Sequence, residues 1–343
     1  MAGRISPHDR FLSERRYALV PQMRDYDGLE AKQWLPYVMT FQRPGISTPS
    51  FTTDEYGFRS TMWRDRRLTL AQHMSLEGRH GVVVGGSTAF GVGASADAYT
   101  LASLLNERTD QVWFNFAGRS FNSTQELLIF LLYLPPSVDT VLILSGINNL
   151  VLSFLSSATS PVYNSFYAQS VFERGLRSGQ VTGVRGTLKL LVRELADLAA
   201  RDQSEARDGA GEKYEHVKAC FRRDMRLWAL LRQAMGYRLY FVFQPITSWI
   251  GKALSEEERE LFDILDRIDP YGSWQQLASF LRDMAARYVA DVREACDELD
   301  IPFLDLNRSA ALRDGRWLFV DRAHLTDDGY VAVADDIVKE WRL

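Results

Sequence analysis

Two segments far apart in the chain carry side chains that could together activate a nucleophile. Gly85-Gly86-Ser87-Thr88-Ala89-Phe90-Gly91 follows directly on the apolar run Gly81-Val82-Val83-Val84. A strand that ends in a turn of small residues exposes a hydroxyl at the edge of a sheet. Near the C-terminus stands Asp321-Arg322-Ala323-His324, followed by Leu325-Thr326-Asp327-Asp328-Gly329-Tyr330. A carboxylate three residues before a histidine can fix the tautomer of the imidazole and stabilise the cation formed when it takes a proton. Ser87 as nucleophile, His324 as base and Asp321 as its orienting carboxylate would support acyl chemistry through a serine ester.

Each motif also has a plainer reading. A serine in a glycine-rich turn can serve only the turn. Asp321 could cap the final helix, although Thr326 or Asp327 could do that instead. The spacing G-x-S-x-x-x-G differs from the G-x-S-x-G elbow, since position 89 is alanine. Among the five histidines, His8, His73 and His216 have no acid three residues earlier. His80 follows Glu77 but precedes the first strand, which puts it at the opposite sheet edge from Ser87. His324 is therefore the best-placed base.

The elements that must position these residues are readable as five short apolar runs: Gly81–Val84, Val112–Phe116, Thr140–Leu144, Leu239–Phe243 and Ile301–Leu304. They have the character of buried parallel strands. Helical patterns lie between most of them, at Thr100–Arg108, Thr124–Tyr133 and about Leu277–Leu299, so the spacing predicts a three-layer α/β domain. After the second run comes Asn115-Phe116-Ala117-Gly118-Arg119-Ser120-Phe121-Asn122-Ser123, and after the third Ser145-Gly146-Ile147-Asn148-Asn149. Both fall at C-terminal strand ends, where open α/β sheets place their sites. A small residue there lets a backbone N–H face an oxyanion, and the Asn148 amide can add a donor. Asn148 and Asn149 could equally be ordinary loop caps.

With 343 residues, 46% of them apolar, the chain can bury a large core, and a net charge of −4 leaves no electrostatic footprint for nucleic acid. Its two cysteines, Cys220 and Cys296, have no metal-ligand spacing and make a disulfide framework unlike this chain. The first ten residues carry no apolar h-region of a secretory signal, and no apolar run approaches the roughly 20 residues of a membrane helix, so a cytoplasmic protein is expected. Residues 1–65 are rich in arginine, proline and aromatics with little periodicity. They read as an arm packed on a domain of residues 66–343, with a turn at Thr53–Arg59. Residues 150–235 form an insertion far longer than a crossover needs. It contains the apolar stretch Val151–Leu155, the helical run Thr187–Ala200 and the polar loop Arg201–Gly211, and its aromatics Phe154, Tyr163, Phe166 and Tyr167 would suit a lid or simple packing on the core.

The ordered set of four segments resembles the SGNH/GDSL hydrolase superfamily over roughly residues 80–150 and 238–335. The resemblance implies a flavodoxin-like α/β/α core, Ser87 as nucleophile, Asn148 as oxyanion amide, and His324 with Asp321 as base and partner. It further implies that the Ser87 N–H is an oxyanion donor. Three positions depart from the family pattern. Gly86 replaces the usual aspartate beside the serine, Asn149 replaces the aspartate after the asparagine, and the second block's glycine is ambiguous. Family spacing puts that donor at Ser120, while Gly118 is the nearest glycine; Ser120 is favoured because Phe121-Asn122-Ser123 then continues in register. The implied reaction is hydrolysis of a small acyl ester, an O-acetylated carbohydrate first, with lipid esters and thioesters next and no metal or cofactor.

Three other readings compete. A sugar or amine acceptor would make the same groups an acyltransferase. A retained fold without catalysis would be a binding module. A dinucleotide fingerprint at Gly91-Val92-Gly93-Ala94-Ser95-Ala96 begins too far past Val84 to follow its strand. Arg119 and Arg322, both beside motif residues, could bind an anionic substrate group or be solvated.

Overall fold

The five apolar runs form one parallel sheet in the computed structural model, which describes residues 7–27, 32–134, 137–155, 210–268 and 273–343. The strands are β1 (His80–Gly85), β2 (Val112–Asn115), β3 (Thr140–Ser145), β4 (Arg238–Phe243) and β5 (Phe303–Asp305). Their spatial order is 2-1-3-4-5 with every pairing parallel, the flavodoxin-like arrangement. Every residue of β1 and β3 is buried, as expected of strands covered on both faces.

Alternation along the strands divides the core. Val83, Leu142, Leu144 and Val242 face the helices Leu101–Arg108 and Asp327–Trp341. Val82, Val84, Val141, Ile143, Phe241 and Phe243 face the helices Ser123–Leu132, Ile147–Leu155, Ala210–Met235 and Ser273–Asp297. Helix starts follow capping chemistry. Thr100 accepts the Ser103 N–H, and Asn122 with Gln125 forms a capping box. The second strand stops at Asn115 because that side chain accepts the Ala117 N–H and turns the chain. The fifth starts only at Phe303 because Ile301 N–H still closes the preceding helix on the Cys296 carbonyl.

The N-terminal residues are more regular than their weak periodicity implies. Helices Pro7–Leu19 and Met23–Asp27 precede an antiparallel hairpin of Lys32–Leu35 with Met39–Gln42, and Thr61–Trp63 pairs with Arg66–Leu68. Asp54 builds the turn between them by accepting the N–H groups of Tyr56, Phe58 and Leu70. In the insertion, Phe154 stacks on Phe280 at 4.9 Å, and the 26-residue helix Ala210–Met235 packs beside the helices that follow β2 and β3. The candidate lid residues Tyr163, Phe166 and Tyr167, the run Thr187–Ala200 and residues 201–209 lie outside the described residues. Among the described residues no helix is long and apolar enough to cross a membrane. Both cysteines are buried and neither is in a disulfide.

Candidate active site

Ser87 owes its position to the way the chain leaves β1. Gly85 has φ +151°, and a Cβ there would come within 2.0 Å of the Leu144 carbonyl oxygen on the neighbouring strand. The chain then enters a single helical turn, Ser87–Phe90, closed by Gly91 in the left-handed region with its N–H on the Ser87 and Thr88 carbonyls. Ser87 is left half-buried at the C-terminal edge of the sheet.

His324 comes to it from the loop before the last helix. Its Nε2 lies 2.8 Å from Ser87 Oγ, and its Nδ1 lies 2.7 Å from Asp321 Oδ2. The other carboxylate oxygen accepts the N–H groups of Ala323 and His324, both at 2.8 Å. Burial alone would raise the Asp321 carboxyl. The charge and hydrogen bond of His324 and these two amides outweigh it and hold the group at about 2. An ionised carboxylate can only accept, so Nδ1 carries the proton and Nε2 is left as the acceptor for the Ser87 hydroxyl. The cap of the final helix is Thr326, which accepts the Gly329 N–H. Asp321 is therefore not used for that purpose.

The second and third blocks meet at the same place. Asn148 Nδ2 donates to the Phe121 carbonyl at 2.7 Å, which uses one of its two hydrogens. A Cβ at Gly86 would sit 2.6 Å from that nitrogen, so the glycine beside the serine makes room for the amide. Gly86 has φ −85°, which any residue tolerates, and space rather than backbone freedom explains it. Gly118 donates its N–H to the Gly85 carbonyl at 3.0 Å and is occupied. Ser120 follows at φ +69° in a turn closed by Phe121 N–H on the Gly118 carbonyl at 3.2 Å. Among the described residues the N–H groups of Ser87 and Ser120 donate to no protein acceptor.

Buried polar groups brace these loops. Asn149 accepts the Ser123 N–H and donates to Ser123 Oγ, which in turn donates to Asp224. Its amide serves both as acceptor and donor there, a pair of roles an ionised aspartate could not fill. Ser145 Oγ donates to Glu126 at 2.5 Å. Burial pushes the Glu126 carboxyl up to about 8, against the opposing effect of that hydroxyl. Gln244 Nε2 donates to Thr88 Oγ1, which itself reaches the Ala323 carbonyl, so the serine turn is tied to the histidine loop. Arg322 pairs with Asp266 at 2.7 Å, and Arg119 donates to the Tyr26 carbonyl. Arg119 Nη1, though buried, has no hydrogen-bond partner among the described residues. Glu126, Asp224 and Tyr26 could not be read as site residues, because nothing in their own sequence neighbourhoods marks them. Gln244 directly follows β4, at the C-terminal strand ends where such sheets place their sites.

Residues 83–332 match the GDSL-like Lipase/Acylhydrolase family. No curated protein matches the chain. Similar solved structures include the acetyl xylan esterase AlAXEase, at 12% identity and a TM-score of 0.38 over 76% of this chain and 98% of that one. The extracellular lipase of Streptomyces rimosus is 12% identical, with a TM-score of 0.40 over 76% and 99% of the two chains. A GDSL-like lipase from Bacteroides thetaiotaomicron is 13% identical, with a TM-score of 0.37 over 80% and 96%. The family match takes in the end of β1, the other four strands, the serine turn and the histidine loop, and the chain belongs to the GDSL-like lipase/acylhydrolase family of serine ester hydrolases.

Proposed function

We propose that the protein hydrolyses a small acyl ester through an acyl-enzyme on Ser87, with an O-acetylated carbohydrate first among its substrates. The choice of acyl group rests on the resemblance to SGNH/GDSL hydrolases. The chemistry rests on the chain of contacts from Ser87 Oγ through His324 to Asp321, at 2.8 and 2.7 Å. Ser87 Oγ attacks the ester carbonyl carbon as its proton passes to His324 Nε2. The resulting imidazolium is stabilised by Asp321, and the carbonyl oxygen becomes an oxyanion. Its donors are the N–H groups of Ser87 and Ser120 and the remaining hydrogen of the Asn148 amide. The occupied Gly118 N–H favours Ser120 over Gly118 in this role. Collapse breaks the ester C–O bond, and the leaving alkoxide takes the proton from His324. Water then attacks the acyl carbon as its proton passes to the same nitrogen, and collapse breaks the bond to Ser87 Oγ, which takes that proton back as the acid leaves.

Intact-mass analysis after treatment with a fluorophosphonate tests this reading. One adduct on the wild type that is absent from Ser87→Ala is the expected result. A folded wild type that takes up no adduct would move the protein to the non-catalytic binding modules. A panel of acetyl, butyryl and octanoyl esters then ranks the acyl group, with the fastest turnover expected for acetyl.

A further inference from the structure

The nucleophile turn is too short to hold itself. The N–H groups of Phe90, Gly91 and Val92 close it on the carbonyls of Gly86, Ser87 and Thr88, but so short a helix has little stability of its own. Buried side chains hold its carbonyl groups and those just after it. Tyr330 Oη lies 3.0 Å from the Thr88 carbonyl oxygen and 2.9 Å from that of Val92. Asn115 Nδ2 donates to the Ala89 and Phe90 carbonyls at 3.1 and 3.3 Å. Arg59 Nη1 donates to Phe90 and Gly91 at 3.1 and 2.8 Å. Tyr26 Oη lies 3.0 Å from the Gly91 oxygen and 2.7 Å from that of Ala94.

Two of these four side chains, Tyr26 and Arg59, lie before residue 83, outside the span that matches the family. Arg59 is fully buried, and its charge is balanced by Asp97 at 3.0 Å. Tyr26 is also fully buried, and its ring stacks on Phe51 at 5.1 Å. Its backbone does something further, because its carbonyl oxygen accepts from Arg119 Nη2. Arg119 immediately precedes Ser120, whose φ of +69° is an unfavourable conformation for a residue with a side chain. One buried residue of the N-terminal arm therefore touches the end of the nucleophile turn with its hydroxyl and the second-block turn with its carbonyl.

We propose that Tyr26 is a positioning residue for ester hydrolysis, setting the Ser87 and Ser120 N–H groups at a fixed separation by linking the turns that carry them. The proposal rests on the reading of Ser87 as nucleophile. It makes the arm, which the family match does not include, a working part of the oxyanion site. Small displacements of such donors are costly, because they must meet the oxyanion where it forms.

The test compares the wild type with Tyr26→Phe, Arg119→Met, Arg119→Lys and the double variant Tyr26→Phe/Arg119→Met. It measures kcat and KM on p-nitrophenyl acetate, the rate of inactivation by a fluorophosphonate, and the melting temperature. Assays are run well below every melting point, so that only folded protein is compared. Tyr26→Phe keeps the ring and its stacking and removes only the hydroxyl. Its kcat is expected to fall about tenfold with KM within about twofold, and inactivation slows in parallel. Arg119→Met behaves alike, Arg119→Lys recovers part of the loss, and the double variant is no slower than the worse single one, because both changes cut the same link. If the wild type is labelled at Ser87 and Tyr26→Phe shows wild-type kcat and inactivation with only a lower melting temperature, Tyr26 is structural and the proposal is wrong. If Tyr26→Phe does not fold, Arg119→Met decides the matter by the same readouts. A wild type that resists labelling overturns the Ser87 reading first, and this proposal with it.

Discussion

The two ends of the first sheet strand carry histidines in opposite circumstances. At its start, His80 Nδ1 meets His73 Nε2 at 3.4 Å, while His80 Nε2 meets the Leu76 carbonyl oxygen at 2.9 Å. The carbonyl can only accept, so His80 donates to it through Nε2. His73 Nδ1 is without a hydrogen-bond partner among the described residues. The rings are set edge to face, with Phe114 beside His73, and among the described residues no carboxylate pairs with His73. Burial, and then the charge of His80, push His73 down to about 3. Just past the strand's end, Ser87 meets His324, whose ring has an ionised carboxylate behind it and remains 21% exposed, whereas His73 is 0% exposed. The difference teaches what makes a histidine usable as a base. It needs a group that stabilises the cation and a path for its proton to a reacting atom, and the buried pair has neither.

Substitutions at each end should separate these roles. Asp321→Asn should lower kcat by about 10⁴-fold with little change in KM or melting temperature, because an amide would favour the wrong imidazole tautomer. Parallel kinetics on His73→Phe should match the wild type; a comparable loss there would erase the contrast. Next in size, Asn148→Ala should cost about 10²–10³-fold in kcat, the usual effect of one oxyanion donor. A change confined to KM would instead assign the amide to ground-state binding.

The smaller effect is on stability and belongs to the buried pair. Below the ordinary value of 6.5, the unfolded chain takes up a proton at His73 that the folded protein refuses until about pH 3. This contribution to stability is present above pH 6.5 and is lost progressively as pH falls towards 3. Relative to the wild type, His73→Phe should therefore gain about 2–3 kcal/mol between pH 6.5 and pH 4.5. Urea midpoints at the two pH values check this, and identical pH dependence in both proteins would show that His73 titrates normally.

How much of this was legible in the sequence differed by region. All five sheet strands could be read, because each is a short apolar run, and the first three are buried along their whole length. Ser87, Asn148 and His324 could be named because strand ends and short spacings mark them. Gly86 stood out as a departure, but its reason, space for the Asn148 amide, exists only in three dimensions. The arm was less readable. Its strands are three or four residues long, too short to establish a period. Tyr26 and Arg59 act through carbonyl groups 31 to 68 positions away, a relation no local pattern records.

The most direct measurement is a kinetic comparison of Ser87→Ala, His324→Ala and the double variant on p-nitrophenyl acetate. If serine and histidine act as one unit, each single change removes nearly all of the catalysis, on the order of 10⁶-fold in kcat, and the double variant is no slower than either. Substantial turnover in Ser87→Ala, or losses that multiply in the double variant, would mean that the two residues do not share one proton transfer and would contradict the proposed mechanism.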